Sequence, residues 1–235
     1  MLTGKVGRVL FTDSYQDTFA TLGVPLRSQD ASANADIADA EQRLAIKLPS
    51  SLREYYLLAG REKRINQFHN RLLPPEKLFI DSGRLVFMEE NQCVVYWAVP
   101  AAPEVKPDTA VFQGVSRRDK GIEWHTEHDS CFIFLNVMAI WHASFGGAGK
   151  HTAIGYVDES TTRVTLDQGW HFVGEANAMR AYKQSERAIC FLKWEDFIQK
   201  DRQLPAWRVF AVAASEDGLS QLQASLPAHW KERGS

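Results

Sequence analysis

Cysteine is scarce in this 235-residue chain: Cys93, Cys131 and Cys190 stand far apart, an odd number, each among large apolar neighbours. That excludes a disulfide-built scaffold, and isolated thiols that behave as small hydrophobes fit a reducing compartment. An excess of either charge is also missing. Lys and Arg number 27 and Asp and Glu 29, a net of −2, and the balance holds on both sides of residue 150, 17 basic against 18 acidic and then 10 against 11. A nucleic-acid binder gathers phosphates with a basic domain or stripe. Here the basic clusters Arg61, Lys63, Arg64 and Arg117, Arg118, Lys120 are interrupted by Glu62 and Asp119 and read as solvated loop charges. Long apolar runs are absent too. The longest, Cys93 to Ala102, has 10 residues and contains Pro100, against roughly 20 for a membrane span. Near the N-terminus only Val9–Leu10–Phe11 is apolar, too short for the core of a signal peptide, and no Asn-x-Ser/Thr acceptor occurs. The expected location is the cytoplasm, with neither membrane nor nucleic acid as partner.

What is present is ordinary for a folded domain: 45% hydrophobic and 24% charged residues. A globule of this length hides roughly 70–75% of its unfolded surface, so it needs no metal or disulfide staple. Tyr15, Phe19 and Leu22 before Gly23 predict a short amphipathic helix. Ile37, Ala40 and Leu44 mark a second, which stops near Lys47 because Pro49 disfavours helical geometry in Leu48. Ser51 and Glu54, spaced as a capping box, open a third that ends at Gly60. The pattern then turns extended. Leu85–Met88 and Gln92–Val99 predict a hairpin around Glu89–Glu90–Asn91, its second strand apolar on both faces and hence central. Ala110–Phe112 and Glu123–His125 predict two further strands, and Asp129 or Ser130 caps an apolar helix over Phe132–Ser144. Beyond residue 150, strands are expected at Thr152–Val157, Arg163–Leu166, His171–Glu175, Met179–Tyr182 and Ala188–Leu192, with a helical turn at Lys193–Ile198. Strand Arg208–Ala213 and a helix capped by Ser215 close the chain. Strands outnumber helices without regular alternation, so the expected class is α+β: a mixed, mainly antiparallel sheet flanked by helices.

No catalytic signature stands out. His125 and His128 with Glu127 between them could furnish a nitrogen and oxygen shell for a metal-dependent hydrolase, but on a strand residues three apart point to opposite faces. Ser144–Thr152 has the glycines of a phosphate-binding loop without its first glycine or its magnesium-binding hydroxyl, and a helix precedes it where one should follow. It reads as a helix C-cap. There is no nucleophile elbow. The seven tryptophans leave open a small-molecule sensor with an aromatic pocket.

One resemblance is specific as an ordered set. Leu44–Gly60, with its Lys47–Leu48–Pro49 turn and Arg53–Glu54–Tyr55–Tyr56 stretch, resembles the opening signature of the SUKH superfamily. Strand Leu85–Met88, turn Glu90–Gln92, strand Val94–Trp97, segment Asp108–Phe112, and Trp124 with Ser130–Leu135 follow in that family's order. The match covers residues 36–146. Departures are Asp108–Thr109–Ala110–Val111 in place of Asp-Pro-Pro-Val, and Gly60–Arg61 without Asn-Gly. The resemblance implies a single SUKH-like α+β domain over residues 1–235, with 150–235 extending the sheet. It also implies a protein that is not an enzyme, takes no cofactor and binds a protein partner, as immunity proteins against secreted bacterial toxins do; fungal members regulate cell-wall synthesis. Residues 121–149 carry three acids and no Lys or Arg, so the expected partner-binding residues are Glu89, Glu90, Asn91, Glu123, Glu127 and Asp129, which would cover a toxin's basic cleft.

Overall fold

The computed structural model describes residues 11–118, 120–148, 151–164, 169–176, 178–193 and 207–231. Helices α1 (Thr12–Thr21), α2 (Asn34–Leu44), α3 (Ser50–Ala59) and the short α4 (Lys63–Asn66) come first. Ala45 in the left-handed conformation ends α2, and Pro49 is the N-cap of α3, as the Pro49 break predicts. The expected Ser51–Glu54 capping box does not form. The carboxylate of Glu54 instead accepts the backbone N–H groups of Phe11 at 2.9 Å and Thr12 at 3.1 Å and the Thr12 hydroxyl at 3.0 Å. Tertiary contact has recruited it to cap α1, whose first amides would otherwise go unpaired.

The first sheet is antiparallel and built from β1 (Asn70–Leu72), β2 (Phe79–Asp81), β3 (Arg84–Glu90), β4 (Val95–Pro100), β5 (Val111–Arg117) and β6 (Gly121–His128). Its order is β1-β3-β4-β5-β6, with β2 also on β3, so β4 is interior as its apolar faces require. Helix α5 (Cys131–His142) follows, apolar around nearly its whole circumference, and such a helix must be enclosed. One side meets the first sheet, where Phe134 packs 6.1 Å from Phe87 and 6.3 Å from Trp97 between ring centroids. Ile133 and Val137 lie against Gly174 of the second sheet, where a Cβ would come within 2.2 Å of the Ile133 side chain. The glycines after α5 end it: the turn Ala143–Gly147 breaks at Gly146, whose φ of 135° is not helical.

The strands after residue 150 do not extend the first sheet. Strands β7 (Thr152–Val157), β8 (His171–Ala176), β9 (Met179–Gln184), β10 (Arg187–Lys193), β11 (Trp207–Ala213) and β12 (His229–Trp230) form a second antiparallel sheet of order β12-β7-β11-β10-β9-β8. The physical reason is α5, which occupies the space beside the first sheet and needs cover on its far side. The expected strand at Arg163–Leu166 is helix α6 (Glu159–Val164) as far as it is described, and the expected turn at Lys193–Ile198 lies outside the described residues beyond Lys193. On the second sheet's other face, α7 (Glu216–Ser225), capped by Ser215, sets Leu219 and Leu222 against Val209 and Ala211. A polar tie joins the layers. The Thr18 hydroxyl donates to Asn136 at 2.7 Å, and the Lys183 ammonium reaches Thr18 at 3.2 Å and the Asp17 carboxylate. The architecture is α+β, two mainly antiparallel sheets with α5 between them.

Candidate partner-binding surface

Of the residues that carry the SUKH resemblance, Asp108, Ser130, Tyr55 and Tyr56 are tied into the fold, whereas Asn91, Gln92 and Val94 are exposed. Asp108 accepts the Phe132 N–H at 3.0 Å and the Ser130 hydroxyl, Ser130 Oγ accepts the Ile133 N–H at 3.1 Å, and the Cys131 N–H donates to the Thr109 carbonyl at 2.7 Å. A carboxylate at the start of α5 satisfies orphan amides and complements the helix dipole. Tyr56 donates to the Leu73 carbonyl at 2.6 Å and Tyr55 to Asn66 at 2.8 Å, and burial lifts both phenols well above their ordinary range. These groups are satisfied within the fold.

The six expected binding residues divide between the two ends of the first sheet. The register Glu89↔Tyr96↔Gly114↔Trp124 puts Glu89, Glu90, Asn91 and Glu123 at one end, though Glu89 and Glu123 lie on strands three spacings apart, roughly 14 Å. Glu127 and Asp129 lie at the other. Glu89 pairs with Arg71 at 2.9 Å, Glu90 accepts the Gln92 N–H at 2.8 Å, and Glu123 faces Arg117 at 3.4 Å. Asn91 and Asp129 are exposed. Glu127 is the extra residue of a bulge, since Val111 pairs with His128 and Phe112 with Thr126. Half-buried and without a partner for its carboxylate among the described residues, it is pushed by burial up to about 7.

The histidines do not converge. His125 Nε2 is 3.3 Å from the Gln113 carbonyl oxygen, whereas His128 Nδ1 accepts the Ser130 N–H at 2.8 Å. Among the described residues no three His, Cys, Asp or Glu side chains are grouped to hold a metal. The described tryptophans do not gather around one cavity: Trp97 and Trp207 are core, and Trp141 stacks on Phe145 at 5.6 Å. A groove of about 880 Å³ beside α2 is lined by Asp36, Asp39, Arg43, Arg61, Pro75 and Glu76, with no aromatic ring in its walls.

Sequence reasoning missed the face of the first sheet turned away from α5. Trp97, Gln113 and His125 are in register on the side that meets α5, so Tyr96, Phe112, Ile122 and Trp124 share the other side. The sheet curls over that side. Laid flat, β2 and β6 would be four strand spacings apart, roughly 19 Å, yet the Trp124 indole N–H donates to Asp81 at 2.7 Å. Arg84 lies across the hollow, its guanidinium carbon 4.6 Å from the Phe112 ring centre and 5.7 Å from that of Trp124. Phe79 meets Tyr96 edge-on at 6.2 Å. Gly114 makes room: a Cβ there would stand 2.4 Å from Ile122 and 2.7 Å from the Trp124 ring. All these rings are half-buried, and among the described residues no helix packs closely over them. The visible signal was the apolar alternation Ile122–Trp124, but the curl that joins it to Arg84 and Phe79 has no local signature.

No family model, curated protein or solved structure matches the chain. The surface that stands out by its chemistry is a curled aromatic face with an arginine across it, bordered by a carboxylate-bearing outer strand. No helix among the described residues is long and apolar enough to cross a membrane.

Proposed function

We propose that the chain is a non-enzymatic protein-binding module, a cytoplasmic immunity protein of SUKH type that covers the working surface of a secreted bacterial toxin domain. The observation that carries this reading is the half-buried face of Tyr96, Phe112, Trp124 and Arg84, which no helix among the described residues covers closely. Trp, Tyr and Arg are the side chains that dominate binding energy at protein interfaces, because each offers a large rigid area with a polar handle. The resemblance over residues 36–146 supports the same reading, and the acids at Glu123, Glu127 and Asp129 would speed encounter with a basic cleft.

The test is affinity capture from the native host with the intact protein as bait, followed by an activity assay of whatever is retained. The expected result is one stoichiometric partner bearing a toxic domain that the bait silences. Thr126→Lys and Glu123→Lys, exposed changes that leave the core intact, are expected to lower its retention at least ten-fold. A partner held equally well by both variants, or none from a folded bait, overturns the assignment of this surface.

A further inference from the structure

Strand β6 is an edge. It pairs with β5 and, among the described residues, with no other strand, so half of its backbone donors and acceptors face outward. Long edge strands are ordinarily blunted by charged side chains, above all Lys, by Pro, by a bulge or by a covering element. Residues 121–128 contain neither Lys nor Pro, their charges are acidic, among the described residues no helix or strand other than β5 packs closely along them, and the bulge at Glu127 disturbs one end only. The other outer strands of the first sheet, β1 and β2, are short, 3 residues each, whereas β6 has 8.

The two sides of β6 ask for different neighbours. Glu123 and His125 lie on one side, with the unpartnered Glu127 at the bulge beyond them. Ile122, Trp124 and Thr126 lie on the curled aromatic side. A strand added alongside would set its own side chains about 5 Å from these in the same alternation. We propose that β6 accepts an extended segment of a partner protein as an additional strand, one that alternates Lys or Arg with apolar residues, the cations meeting Glu123 and Glu127 and the apolar groups continuing the Ile122–Trp124 face. The inference rests on the partner-binding reading above and specifies its mode. A second copy is a poorer occupant, because antiparallel pairing of β6 with itself about His125 sets Glu123 against Glu127.

The test uses isotope-labelled intact protein and a synthetic capped peptide alternating Lys with Val, with a Glu–Val peptide as control. Amide hydrogen exchange is followed by NMR. At a peptide concentration ten times Kd, alternate amides within 121–128 are expected to exchange about ten-fold more slowly. The doubly reversed variant E123K/E127K is expected to lose the Lys–Val peptide and take the Glu–Val peptide. Absence of binding, protection on β8 in place of β6, or shifts on the aromatic face with unchanged β6 exchange would each overturn strand addition. A native partner that is captured, and lost on Thr126→Lys, yet leaves β6 amides unprotected refutes this mode while the function proposed above stands. Conversely, β6 protection by the peptide with no captured partner supports the mode and refutes that function.

Discussion

Replacing Gly114 by Ala tests the construction of the aromatic face more sharply than truncating any ring. The new methyl carbon would sit 2.4 Å from Ile122 Cγ2 and 2.7 Å from two carbons of the Trp124 ring, closer than such atoms approach. Trp124 is not free to swing, because its N–H is tied to Asp81 at 2.7 Å and Arg84 lies over it. Inserting one methyl into a fixed site costs about 1–3 kcal/mol, and losing the indole hydrogen bond adds about 1 kcal/mol. Relief of the unfolded glycine's entropy returns about 0.5–1 kcal/mol. The net is a loss of about 2 kcal/mol, a fall in Tm of about 4–8 °C for a chain of this size. The assay is thermal unfolding by far-ultraviolet circular dichroism, with near-ultraviolet dichroism reporting the Trp124 environment. Trp124→Ala removes one of the two obstacles and leaves Ile122, so adding Gly114→Ala to it is expected to cost less than the same change costs in the parent. A Tm for Gly114→Ala within about 1 °C of the parent, or additive effects in the double variant, would refute the steric argument.

Glu127, raised from 4.5 to about 7 by burial, holds its proton more tightly folded than unfolded, so its contribution to stability is full below pH 4.5 and is lost as pH rises through 7. The loss is about 1–2 kcal/mol once its partial exposure is allowed for; Glu127→Gln is expected to remove that decline in urea titrations between pH 5 and 8, and an unchanged pH dependence would contradict it. His142, lowered to about 3 by burial and then by His69, acts oppositely: folded it resists protonation, so stability falls as pH drops below 6.5. His142→Phe is expected to flatten that acid limb. Burial raises the thiols of Cys131 and Cys190 while Cys93 is exposed; a thiol reagent is expected to label Cys93 alone in the native protein, and rapid labelling of the other two would refute their enclosure. Asp108→Ala strips the cap from α5 and is expected to cost about 1–2 kcal/mol with an unchanged dependence on denaturant; a neutral effect would show that Ser130 alone suffices.

Much of the local structure was legible in the chain. Period-3.6 apolar spacing and the Pro49 break locate α2 and α3, the apolar run at Cys131–His142 locates α5, and Ser215 starts α7, because these signals act through backbone geometry and nearest neighbours. The interior place of β4 follows from its two apolar faces. Long-range partnership was not legible. Glu54 looked like a local cap of α3 and serves α1 instead, because an amide brought near by folding offers the same hydrogen bond as one nearby in sequence. The strands after residue 150 read as a continuation of one sheet, since a strand's pattern records that it is half-buried and not which strand lies beside it. Enclosure of α5 decided that they build a second sheet. Likewise, acids adjacent along the chain suggested one patch, yet the register of β3 to β6 parts Glu89 and Glu90 from Glu127 and Asp129. Sequence alone determined most of the helical and extended segments, but not α4, β1 or β2, and it read Arg163–Leu166 as a strand where α6 lies. The curl that brings Trp124 to Asp81, and with it the aromatic face and its open edge, belongs to the tertiary structure, because curvature arises from strand pairing and packing summed over the whole sheet.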